Sequence, residues 1–158
     1  MRERGFSLIE LLIVVAIILV LAAIAVPNLM RAKIQANEAS AVSSVRAINT
    51  AQVTYAVSYP GEGYADDLAK LGAPTSGGVS SLNAGLLDWV LGCASQPCGK
   101  SGYRFQIVNA TGSPISAYTV VGTPTAPGTS GIRGFCSYQM NPIMYDPAGG
   151  TNCTVNMQ

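Results

Sequence analysis

The chain of 158 residues contains no histidine. Without it the commonest general base and the commonest metal ligand are both missing, which excludes histidine-dependent triads, zincin-type centres and most transition-metal sites. Charge is scarce as well: 11% of residues are Asp, Glu, Lys or Arg, against roughly 25% in an ordinary soluble domain. Nine Lys and Arg against eight Asp and Glu leave a formal net charge of +1. No basic block is present, so no specific nucleic-acid partner is expected. The chain reads as a non-enzyme, with no cofactor and no metal expected. Gly99-Lys100-Ser101 resembles the end of a phosphate-binding loop, but Ala94 stands where that loop requires a glycine.

Apolar residues, by contrast, make up 49% of the chain, and the excess sits in one place. Residues 6–26 are apolar except for Ser7 and Glu10. As a helix at 1.5 Å per residue this segment would be about 31 Å long, close to the roughly 30 Å of a bilayer's hydrocarbon core. Arg2 and Arg4 ahead of it favour a cytoplasmic N-terminus, an effect weakened by Arg31 and Lys33 beyond it. Three plain readings compete. A secretory signal peptide would be cut after Ala25, at the Ala23-Ile24-Ala25 pattern, releasing a soluble binding domain that starts at Val26. A simple signal anchor is the second. A buried core helix is the third, and nothing later in the chain is apolar enough to surround it.

Glu10 is what those readings leave unexplained. A carboxylate within a membrane helix is costly and calls for a positive partner. Cleavage after Gly5 would create one, the new α-amino group of Phe6, either within the same helix or on a neighbouring subunit packed alongside. The simpler account is an acid at a helix start, favoured by the macrodipole.

The run Gly5-Phe6-Ser7-Leu8-Ile9-Glu10, then Leu11-Leu12-Ile13-Val14-Val15-Ala16-Ile17-Ile18, and Ala22-Ala23-Ile24-Ala25-Val26-Pro27-Asn28 resembles the N-terminus of type IV pilins and of the related type II secretion pseudopilins. The resemblance is close over about the first 28 residues and architectural beyond them. It implies a prepilin peptidase that cuts between Gly5 and Phe6 and methylates the Phe6 amine, and an assembly role for Phe6 and Glu10 at the contact between subunits. It also implies residence in the bacterial inner membrane as a single pass before assembly, then an extracellular pilus built of identical or related subunits. An inner-membrane platform protein and a motor ATPase would be the assembly partners. Leu19 stands where many relatives carry a glycine that, with the proline at the Pro27 position, brackets a stretch able to unwind. Pro27 alone removes one helical hydrogen bond and is expected to kink the helix.

Four cysteines, Cys93, Cys98, Cys136 and Cys153, all follow the apolar segment. An even count outside the cytoplasm reads as two disulfides, with three connectivities open. The nearest-neighbour pairing, Cys93 with Cys98 and Cys136 with Cys153, is preferred. The second of these resembles the disulfide-bounded loop of pilins. Major pseudopilins generally hold calcium in this region through several carboxylates, whereas only Asp146 lies beyond Cys136 here.

After Pro27, Ile34, Ala41, Val45, Ile48, Gln52, Tyr55 and Tyr59 recur at helical spacing, with Arg31, Lys33, Gln35, Asn37 and Ser44 off that stripe, and Pro60-Gly61 ends the pattern. Short helices are expected at residues 66–71 and 83–91, each stopped by a glycine, with Trp89 as a packing anchor. Strand signals follow at residues 103–108, 115–122 and 132–140, and more weakly at 143–146. The expected organisation is a leader at 1–5, a membrane-spanning assembly helix at 6–27, its amphipathic continuation at 28–60, a loop region with short helices at 61–101, and a sheet with the C-terminal disulfide-bounded loop at 102–158. The expected fold is α+β, a pilin-like lollipop whose long helix packs on a small antiparallel sheet of three to four strands. The runner-up in function is a pseudopilin of a type II secretion system.

Overall fold

The structure, a computed structural model, describes residues 7–74, 77–139 and 142–157. It divides into two compact units, residues 1–33 and 34–158.

Between Gly5 and Pro60 the chain has no glycine and a single proline, and most of its residues are good helix formers. They form α1, Leu8–Ser58, with Pro27 inside it. In unit 34–158 one stripe of this helix is buried: Ala41, Val45, Ile48, Ala51, Gln52 and Tyr55. Ser44, which the spacing placed off the stripe, is buried too. Its hydroxyl donates to the Ser40 carbonyl at 2.9 Å, which lets a small polar side chain sit in the interface without an unmet hydrogen bond.

Beyond α1 the chain forms α2, Leu68–Leu71, then six strands: β1 Cys98–Lys100, β2 Tyr103–Gly112, β3 Ile115–Pro124, β4 Gly134–Tyr138, β5 Met144–Asp146 and β6 Val155–Asn156. All are antiparallel neighbours in chain order, so β1 and β6 are the two edges of one sheet. The sheet therefore exceeds the three to four strands expected. The extra edge strands have three and two residues, too short to show an alternation. In β2, Tyr103, Phe105 and Ile107 are buried while Arg104 is exposed, the period of two that puts one face on a core. These three, with Tyr118, Val120 and Phe135, form that core together with α1. The opposite face carries a smaller cluster of Val121, Cys136 and Cys153.

Two expectations in the 61–101 region are corrected. Residues 83–91 form turns rather than a helix. Gly72 and Gly92, read as two helix stops, lie back to back: a Cβ on Gly72 would stand 2.2 Å from the Gly92 carbonyl oxygen, and one on Gly92 would stand 2.2 Å from the Gly72 Cα. Their function is close approach, which fixes the turn at 86–92 against α2. Trp89 is no packing anchor; it is 80% exposed, because Leu87 and Leu91 on either side of it take the inward positions.

Candidate assembly interface

The residues predicted for processing and assembly, Gly5, Phe6, Glu10 and Pro27, precede residue 34, and the four cysteines follow it. Gly5 and Phe6, the proposed cleavage pair, lie outside the described residues. The first described residues make a helix start: the Ser7 carbonyl accepts from the backbone N–H groups of Glu10 and Leu11, and the Glu10 carboxylate accepts the Ser7 backbone N–H at 3.0 Å. This is half of a capping box, Ser-x-x-Glu ahead of an apolar run. The sequence carries that signal openly, and reading Glu10 only as a charge in search of a cation passes over it. The simpler account of an acid at a helix start thus describes its local contact.

From Leu11 to Val26 the helix is apolar on all sides. Every side chain over this stretch is exposed except half-buried Ala22, and the helix is long and apolar enough to cross a membrane. α1 continues through Pro27, whose missing N–H leaves the Ala23 carbonyl without its usual donor. Beside it the Asn28 amide donates to the Ile24 carbonyl at 3.1 Å.

In the second unit polar groups are met from within. Glu38, unflagged by the spacing, is 6% exposed and receives four donors: the backbone N–H groups of Ile132 and Arg133, both at 3.0 Å, and the Arg133 guanidinium at 2.8 and 2.6 Å. Burial alone would raise its pKa, but the Arg133 and Ile132 donors outweigh it and hold the carboxyl below the ordinary carboxylate range. The pair fastens the 125–133 connection to α1. Two glutamines act as short strands. Gln52 exchanges two hydrogen bonds with the Ala65 backbone, both at 2.8 Å, and Gln96 does the same with Ile107 at 3.0 and 2.9 Å, continuing the sheet edge past β1.

The structure joins Cys93 to Cys98 and Cys136 to Cys153. The first closes the small ring beside Gln96; the second ties β4 to the residue group just before β6. Asp146 braces that C-terminal loop by accepting the N–H groups of Ala148 at 2.9 Å and Asn152 at 3.1 Å. Asp88 organises the 86–92 turn. Its carboxylate accepts the N–H groups of Val90 and Leu91 and pairs with Lys100 at 2.8 Å. The Lys100 contact and then the Leu91 N–H lower its pKa.

Residues 1–26 match the family model of the prokaryotic N-terminal methylation motif. The chain is 48% identical over 54 residues to the type IV major pilin protein PilA of Myxococcus xanthus, which covers 34% of this chain and 24% of that protein. It is 60% identical over 37 residues to the type IV wide pilus major component PilA4 of Thermus thermophilus, 23% of this chain and 28% of that protein. It is 44% identical over 54 residues to the type II secretion system core protein G of Escherichia coli, 34% of this chain and 37% of that protein. Each match thus spans between a quarter and somewhat over a third of the relative's length. No solved structure matches the chain significantly.

Proposed function

We propose, for a chain whose N-terminus is of the type IV pilin and pseudopilin kind, that it is a structural subunit: a pilin that polymerises through its N-terminal helix into an extracellular filament. The observation that carries this reading is the pairing of the methylation motif at residues 1–26 with a helix whose apolar side chains over 8–30 are exposed. That surface has to be covered by something outside the subunit. In the membrane lipid covers it, and in a filament the helices of neighbouring subunits do. Transfer between the two costs little for Leu, Ile and Val, because lipid tails are as apolar as the side chains.

In this proposal a prepilin peptidase removes residues 1–5 and methylates Phe6. The charged Phe6 amine of one subunit then meets Glu10 of another. The capping bond from Ser7 supports the idea that Glu10 is held at the helix start with acceptor capacity left over, since an ionised carboxylate has about four lone-pair sites. Before assembly the subunit waits in the bacterial inner membrane with its N-terminus in the cytoplasm; afterwards it lies in the pilus. A platform protein and a motor ATPase drive the transfer.

A pseudopilin of a type II secretion system is the second reading, favoured by the similarity to core protein G. Against it, the only carboxylate beyond Cys136 is Asp146, and its oxygens already accept backbone N–H groups, a poor donor set for calcium. Shearing the surface of the native cells separates the two. The pilin reading expects the chain in long filaments seen by immunolabelled electron microscopy. Its confinement to the membrane fraction would favour the pseudopilin.

A further inference from the structure

We infer that Trp89 of one subunit seats in the groove between α1 and β6 of a neighbouring copy, so that successive subunits of the filament are joined knob into groove. The inference rests on the filament reading above and names the surfaces that would meet.

The knob is the chain's single tryptophan, 80% exposed. Tryptophan buries roughly 150–250 Å² when it finds a partner and is over-represented among the anchors of interfaces. It is presented on a rigid support. Leu87 and Leu91 are buried on either side, the Asp88 carboxylate binds the N–H groups of Val90 and Leu91, and the Gly92 N–H donates to the Asp88 carbonyl at 2.8 Å. An anchor held this way loses little freedom on docking.

The groove has a volume of about 330 Å³ and is walled by Ala39, Val42 and Arg46 of α1, by the Glu38–Arg133 pair, and by Met157. Arg46 is exposed and takes part in none of the ion pairs of the described residues, so its guanidinium is available to lie over an indole face. Arg133 of the groove wall already makes such a contact with a ring outside the groove, its guanidinium 5.3 Å from the centre of the Tyr145 ring.

Position and charge agree with the pairing. Asp88 ties the Trp89 turn to Lys100 of β1, one edge of the sheet, whereas the groove is walled by Met157, the residue that follows β6, the other edge. A knob and a groove on opposite edges of one sheet cannot meet within a subunit. Two unlike patches also give a heterologous contact, which repeats in one direction to make a filament instead of closing as a pair. The stretch 61–92 together with Lys100, the partner of Asp88, carries Glu62, Asp66, Asp67 and Asp88 against Lys70 and Lys100, while the groove sets Arg46 and Arg133 against Glu38. The two surfaces are of opposite sign, which steers them together.

Because Trp89 is the only tryptophan, its fluorescence reports on this contact in the unaltered full-length chain. Acrylamide quenching and the emission maximum would be compared between detergent-held subunits and sheared filaments. We expect a blue shift and a several-fold fall in quenching on assembly. In filaments carrying both Trp89→Cys and Ala39→Cys, oxidation should then give disulfide-linked ladders that neither single variant gives. Filaments whose tryptophan is quenched as strongly as in the free subunit would overturn this inference and leave the pilin reading standing. A shift without ladders from assembled double-variant filaments would overturn the groove as the seat. Failure of the unaltered chain to form filaments at all would overturn both.

Discussion

The two halves of α1 belong to one helix and answer to opposite rules. Residues 8–30 are the more apolar half, yet all but Ala22 are exposed. The later half is more polar, and it supplies nine buried residues, Glu38 and Gln52 among them. Hydrophobicity therefore does not decide what this chain buries within itself. The later half buries a stripe because a sheet is at hand with a matching face, and its buried polar members Glu38, Ser44 and Gln52 are accepted because each is hydrogen-bonded. The earlier half leaves its surface uncovered. Under the proposed function, assembly belongs to that half and stability to the half that the subunit buries.

Substitutions in the two halves should have separable effects, on assembly in one and on stability in the other. The largest effect is expected from Gly5→Arg, which places a bulky charge at the proposed cleavage point. It should leave an uncut precursor in the membrane and abolish filaments, as read by the mass of the N-terminal peptide; filaments built from uncut chains would refute the processing step. Glu10→Val comes next. It should leave cleavage intact and lower filament yield by about tenfold or more, the factor that corresponds to a lost contact of about 1.4 kcal/mol per subunit. A normal yield, by quantitative immunoblot of sheared material, would remove Glu10 from the assembly contact.

The remaining changes act on the covered half, and their readout is unfolding of the purified chain instead of assembly. Opening the Cys136–Cys153 loop with Cys153→Ser should cost about 3 kcal/mol in the chain-entropy picture of a loop this size. Glu38→Gln should cost about 2 kcal/mol, below the range for a fully buried pair, because the Arg133 side chain is 40% exposed. This variant also has a pH signature. The folded state lowers the Glu38 pKa, so its contribution is complete above the ordinary carboxylate range and is lost as pH falls through the lowered value. The melting temperature of the unaltered chain should fall with acid more steeply than that of Glu38→Gln, and parallel curves would show that the pair does not govern acid stability. Lys100→Ala, at a half-exposed surface pair, should change stability by less than about 0.5 kcal/mol.

Much of this was legible beforehand, for reasons that lie in the residues. The helix from Leu8 to Ser58 shows itself through the absence of glycine and the period of Ala41, Val45, Ile48, Gln52 and Tyr55. β2 and β3 show themselves through β-branched and aromatic content. What stayed hidden depends on partners far along the chain. Glu38 meets Arg133 across 95 positions, and no local pattern marks such a pair. Residues 83–91 combine helix-forming residues with a glycine stop, but Gly72 and Gly92 require a turn there for their close approach. Trp89 follows from that turn, since its neighbours Leu87 and Leu91 face inward. The Ser7 and Glu10 cap, by contrast, was written in the sequence as a capping box and is eclipsed by the larger question of the charge.

Under the proposed function the N-terminal helix is processed at Phe6 and kept as the working surface of an assembled subunit. The most direct test is the mass of the N-terminal peptide in material sheared from native cells, with the membrane fraction measured beside it. The expected result is a chain that begins at Phe6, carries one methyl group on its amine, and is present in the sheared fibres. A chain beginning at Val26 in the soluble fraction would contradict it, because the helix would then be a disposable signal and the exposed surface of residues 8–25 would have no part in the finished protein.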